Sequence, residues 1–295
     1  MASRVEAVPD KALSAAAWAA ILGASGLAEI VWRVGLGGRP TVWVSVVQFG
    51  ALLLLLGLVR TWPALRPLTG FVSVLAALGG AVAALFLLER ATGFTAWAER
   101  GPQHEVVPAE SALLCLPTLV MLVVALGLGF RPRQLFLARG DVDAPSRIPG
   151  TRRRLGWSRL GPLTMLLFAV PLCVQLALTT DVHPHQLVRV GELLPLGIGF
   201  AAVNAAQEEL RFRAVPLALA APVVGGERAI WMTATAFGIA HWFGHPSGPS
   251  GVVLALLAGL VLAKAMLETR GLLWPWAIHA VQDVAIFVFL VLAAG

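Results

Sequence analysis

Gly197-Ile-Gly-Phe-Ala-Ala-Val-Asn-Ala-Ala-Gln-Glu-Glu-Leu-Arg-Phe-Arg213 is an apolar run interrupted by two adjacent carboxylates, Glu208 and Glu209. Its apolar part has the composition of a membrane-spanning helix. In or near a bilayer each carboxylate is costly unless it is paired or hydrated, so an adjacent pair calls for a function.

The surrounding chain has the same character. It has 295 residues, 58% of them hydrophobic and only 13% charged, with a mean hydropathy of +0.81. That composition excludes an ordinary soluble domain and indicates an all-α, polytopic helical membrane protein. The net charge of +6 does not indicate a nucleic-acid partner, because the Arg residues concentrate in short loops where the positive-inside rule accounts for them. Cys115 and Cys173 both lie in apolar stretches and form no disulfide framework or zinc-thiolate pattern. Trp32, Trp43, Trp62 and Trp157 fall near expected span ends, where an indole keeps its N–H wet and its ring in lipid. Met1 to Lys11 carries Arg4 and Lys11 and leads into a long apolar run without a small-residue cleavage site, so a retained first helix is expected.

A hydrocarbon core about 30 Å thick needs about 20 apolar residues per helix. About nine stretches qualify: 12–32, 41–59, 68–88, 110–130, 160–179, 188–210, 228–244, 250–268 and 272–293. Residues 214–225 would make only about 18 Å of helix. With Pro216 and Pro222 they read as a short re-entrant or interfacial helix.

The segment 131–159 holds Arg131, Arg133, Arg139, Arg147, Arg152, Arg153, Arg154 and Arg159 and is expected in the cytoplasm. Alternation then puts the N-terminus in the cytoplasm as well, for a multi-pass protein of a bacterial inner membrane. Only the short loop with Arg33 and Arg39 runs against the rule. The basic segment also divides the chain: 1–130 reads as an accessory bundle of four spans, and 160–295 carries the chemistry.

Three polar groups punctuate that second part. In Glu208-Glu209-x-x-x-Arg213, Glu209 and Arg213 are one turn apart and can pair, leaving Glu208 about 100° away on another face. Phe237-Gly-Ile-Ala-His241 puts a lone imidazole on an otherwise weakly polar helix. His279-Ala-Val-Gln-Asp283 brings an imidazole and a carboxylate onto one face of the last span. Each group also has a structural reading: an interfacial salt-bridge cluster, a helix–helix hydrogen bond, a packing pair. Jointly those readings weaken, since three spans would each bury a titratable group without using it. His183 and His185 fall in an expected outer loop and His245 at a helix end, and all three read as structural or solvent-exposed. At 1.5 Å per residue Glu208 and His279 would lie about 7 and 10 Å inward from the interface. Counted from Arg228, His241 would lie about 20 Å inward, so straight helices would not quite converge.

A desolvated Glu can deprotonate water, a His can relay that proton, and a second His with its neighbour can stabilise an oxyanion. Such a set hydrolyses an amide. Glu208, His241 and His279 would also serve as a catalytic zinc site, although His-Glu-x-x-His is absent.

The ordered trio Glu208-Glu209-x-x-x-Arg213, Phe237-x-x-x-His241 and His279-x-x-x-Asp283 resembles the CPBP family, the CAAX-prenyl endoprotease and bacteriocin-processing (Abi-type) intramembrane proteases. The similarity spans roughly residues 160–293. It implies that Glu208 activates water together with His241, that Glu209 and Arg213, with Phe237, support the site, and that His279 and Asp283 occupy the place of an oxyanion-stabilising His/Asn pair. Asp283 departs from that pattern. An ionised carboxylate cannot donate to an oxyanion, so Asp283 is protonated, orients His279, or belongs to a metal-dependent variant.

The expected function is an intramembrane endopeptidase acting on a membrane-associated peptide or protein substrate. No cofactor is favoured, with zinc as the alternative. A non-enzymatic immunity factor or scaffold, and a proton-conducting transporter, are the competing readings.

Overall fold

The structure, a computed structural model, describes residues 11–39, 41–147, 153–179, 183–244 and 247–293. Arg4, Arg152 and His245, which entered the reading of the sequence, lie outside the described residues, as does the side chain of His185. The chain is almost wholly helical. Helices α1 (Lys11–Gly23), α2 (Leu27–Ile30), α3 (Val42–Thr61), α4 (Thr69–Thr92), α5 (Phe94–Ala98) and α6 (Gln103–Gly127) form the first half. A hairpin of β1 (Pro145–Arg147) and β2 (Arg154–Gly156) follows, then α7 (Trp157–Thr179), α8 (Pro184–Glu209), α9 (Val215–Val224), α10 (Gly226–Ala240), α11 (Gly248–Thr269) and α12 (Leu273–Leu292).

Among the described residues seven helices are long and apolar enough to cross a membrane, or eight if the bent first pair is one span. The protein is therefore a multi-pass, all-α membrane protein, with fewer full-length spans than the nine expected. Two of those nine are short for physical reasons. The run 12–32 breaks at Gly23-Ala-Ser-Gly26, where the Ser25 hydroxyl donates to the Leu22 carbonyl (2.7 Å), and the chain bends by 60° into a π-turn over Val31–Gly35. Helix α10 has 15 residues and ends in a 3-10 turn at His241–Phe243.

Residues 214–225 differ more from expectation. They are not a separate piece but continue α8 through a π-turn, Leu210–Ala214, into α9. Val215, Pro216, Leu217 and Leu219 are buried there. Pro216 is tolerated because it falls in the first turn of α9, where its missing N–H breaks no helical bond.

One apolar core joins the two halves, with Phe71, Val72 and Leu75 of α4 against Leu217 and Leu219 of α9 and Met232 of α10. Close approaches of small residues set the remaining contacts, as is common between membrane helices. A Cβ on Gly197 of α8 would lie 2.3 Å from the Phe287 ring of α12, and one on Gly259 of α11 would lie 2.9 Å from Ala234 of α10. The basic segment is tied down as well. Lys264 of α11 donates to Ser146 of β1 and pairs with Glu268 (2.7 Å), and Trp157 Nε1 donates to Glu268 (2.8 Å).

Candidate active site

The π-turn begins directly after Glu208 and Glu209, a placement common at functional sites. Glu209 and Arg213 are both 0% exposed and form an ion pair, Arg213 Nη1 donating to Glu209 Oε1. The guanidinium lies over the Phe237 ring, 4.0 Å from its centroid, so an aromatic face takes the place of further hydrogen bonds. Phe237 also packs edge-on against His241 (centroids 4.3 Å apart) and His279 (5.7 Å). One aromatic ring from α10 thus sits among Arg213 of the π-turn, His241 of the following turn and His279 of α12.

His279 is buried, and carboxylates flank both of its ring nitrogens. Nδ1 is 2.8 Å from Glu209 Oε1, and since a carboxylate can only accept, Nδ1 donates. Nε2 stands 3.5 Å from Glu208 Oε2 and 3.7 Å from Asp283 Oδ1. Glu208 Oε1 in turn faces Arg211 Nη2 at 3.6 Å. His241 uses Nδ1 on the Phe237 carbonyl (2.9 Å), which fixes Nδ1 as the protonated nitrogen and leaves Nε2 as the acceptor of the neutral ring. His241, His279, Asp283 and Phe237 border one cavity of about 240 Å³ between α7, α10, α11 and α12. His241 thus meets His279 and Asp283 although straight helices counted from Arg228 would not quite converge.

All the residues singled out from the sequence therefore come together: Glu208, Glu209, Arg213, Phe237, His241, His279 and Asp283. Three carboxylates face two guanidinium groups and two imidazoles, an arrangement able to take a proton from water and return it to a leaving group.

The alternative zinc set fits less well. His279 already directs both nitrogens at carboxylates, and among the described residues no three His, Cys, Asp or Glu side chains are grouped to hold a metal ion.

The structure adds residues that the sequence reading missed. Asn204 Nδ2 donates to Asp283 Oδ2 (3.0 Å), while Asn204 Oδ1 accepts from Ser111 Oγ (2.7 Å) and Gln207 Nε2 (3.1 Å). Thr118 Oγ1 lies 3.3 Å from Gln207 Oε1. Arg211 is a second addition. Spacing offered a signal for both, since Asn204 is four residues before Glu208 and Arg211 three after it, each within one turn on α8 or its π-turn.

Fold and site together define a polytopic helical membrane protein that buries a carboxylate–imidazole cluster at a cavity among its C-terminal helices. Residues 190–285 match the family model described as type II CAAX prenyl endopeptidase Rce1-like, so the chain carries an Rce1-like domain, in keeping with the family that its motifs resemble. The matched segment contains every residue of the cluster except Ser111 and Thr118, which α6 contributes. That family model describes CAAX prenyl endopeptidases, which implies intramembrane CAAX endopeptidase activity in general for proteins of that family. No curated protein and no solved structure matches the chain.

Proposed function

We propose that the chain is an intramembrane endopeptidase in which Glu208 activates the attacking water. The Glu208 carboxylate takes one proton from water as the hydroxide oxygen bonds to the scissile carbonyl carbon. His241, with Nε2 free at the cavity, shares or relays that proton. Once it holds that proton, His241 Nε2–H is the donor to the resulting oxyanion, and collapse of the tetrahedral species passes the proton to the leaving amine. Asp283 acts as an acceptor that orients His279, not as an oxyanion donor, because its second oxygen already accepts from Asn204. Glu209 and Arg213 hold His279 in place.

The observation that carries this reading is that His241, His279 and Asp283 border one cavity around Phe237, with Glu208 Oε2 3.5 Å from His279 Nε2. Leu167, Leu254 and Leu257 border the same cavity and are 60%, 45% and 49% exposed on the outer helix surface. That lipid-facing apolar rim suits a membrane-associated substrate with an apolar segment or a prenyl chain. The basic segment 131–159 fits a cytoplasmic side for the loop that carries it, in a bacterial inner membrane.

The test compares membrane-protein termini in cells carrying wild type, Glu208→Gln or His241→Ala, with and without a chelator. Termini unique to wild type are expected to vanish in both variants at unchanged protein abundance and to persist with chelator. Full cleavage by both variants sinks the catalytic assignment. Loss of abundance in place of cleavage assigns the trio to helix packing, and loss with chelator alone returns the metal mechanism.

A further inference from the structure

We infer that Asn204 is the positioning residue for Asp283, held with its amide donor forward by Ser111 and Gln207, so that α6 of the first half forms part of the site's support. The inference rests on the proposed function and deepens it.

A carboxamide has two chemically different ends, and its neighbours decide which one faces a given group. Asn204 Oδ1 accepts from both the Ser111 hydroxyl and the Gln207 amide. That leaves Nδ2 for Asp283 Oδ2, at 3.0 Å. Turned over, the amide would set its oxygen against a carboxylate oxygen and its NH2 group against the Gln207 amide donor. Asp283 is 5% exposed, so an unpaired carboxylate oxygen there has little access to water. With Oδ2 engaged, Oδ1 is the oxygen directed at His279 Nε2.

Asn204 reaches the chemistry only through this contact, for the cavity is bordered by Asp283 and not by Asn204. It also lies one turn before Glu208 on α8, so one rigid helix carries both the water activator and the clamp on Asp283. Ser111 and Thr118 are 5% and 1% exposed, and they sit on α6 outside the family-matched segment. Two buried hydroxyls facing a polar pair on α8 serve more than helix packing, since an apolar pair would pack without needing any partner.

The experiment uses the full-length protein in native membranes and follows cleavage events present in wild type and absent in Glu208→Gln. Asn204→Asp keeps the shape and both acceptor contacts but removes the donor. It is expected to lower kcat at least tenfold with KM within twofold, since no group that touches substrate has changed. Ser111→Ala is expected to lower kcat about threefold with KM unchanged, and Ser111→Thr, which restores the hydroxyl, to recover most of it. Unchanged kcat in Asn204→Asp, a change confined to KM, or a Ser111→Thr variant as slow as Ser111→Ala overturns the inference. If Asn204→Asp does not accumulate, the Ser111 pair decides alone. Cleavage retained in Glu208→Gln removes the proposed function itself, a result distinct from all of these.

Discussion

Helices α3, α4 and α6 and helices α8, α10 and α12 share an apolar composition but are held together by different forces. In the first set, Gly79 and Gly80 of α4 sit beneath Leu52 and Phe49 of α3, close enough that a Cβ would come within 3.0 and 2.8 Å of those side chains. The most conspicuous polar link there is Gln48, which donates to the carbonyls of Gly23 and Ser25 (3.2 and 2.8 Å). The second set buries the Glu209–Arg213 ion pair with His279 and Asp283, and sets the half-buried Glu208 and His241 beside them. Replacing a buried ion pair by apolar residues is often neutral or stabilising, whereas removing one partner is costly. The C-terminal set thus accepts an electrostatic liability that the N-terminal set avoids, as expected where function and not stability selects the side chains.

The contrast can be broken most sharply at Glu208. Glu208→Gln keeps size and hydrogen bonding but cannot take a proton, and it should lower the cleavage rate by roughly 10²–10⁴-fold at unchanged abundance. Next comes Arg213→Met, which strands Glu209 as a buried charge. A loss of roughly 3–5 kcal/mol is expected, read as a collapse of the monodisperse peak of detergent-solubilised protein on heating. Met121→Ala tests the other region, since Met121 is a fully buried side chain on α6. It should cost about 2–5 kcal/mol in the same assay while leaving the rate per folded molecule unchanged. Smallest of all, Leu54→Ala on α3, at a position 80% exposed on the outer surface, should shift stability by no more than about 0.5 kcal/mol. A rate effect from Met121→Ala, or a stability effect from Leu54→Ala, would erase the distinction between the regions.

Much of this was legible in the sequence because lipid imposes a simple rule: long apolar runs become helices, and charged residues within them stand out. Glu208, Glu209, Arg213, His241, His279 and Asp283 could be found by that contrast alone. Asn204, Gln207, Ser111 and Thr118 could not, since a neutral polar residue in an apolar run costs little and reads as ordinary helix packing. Span lengths failed where backbone geometry overrides composition. The Gly23–Gly26 break in the first run and the 3-10 turn at His241 both interrupt stretches of apolar residues. Pro216 and Pro222 suggested a separate piece, yet both are accommodated near the ends of α9.

The π-turn has a consequence for how the chain tolerates changes in length. Its wider hydrogen-bonded ring holds one residue more than an α-helical turn, so α9 is rotated in phase by about 100° from where an unbroken α8 would put it. Removing a single residue, such as Leu210, would leave every charged group of the cluster in the chain. It would nevertheless turn Leu217 and Leu219 away from Phe71 and Val72 and set Arg213 on a different azimuth from Glu209. In this segment the count of residues is itself inherited information, and a lineage could exchange almost any apolar side chain there more easily than it could lose one.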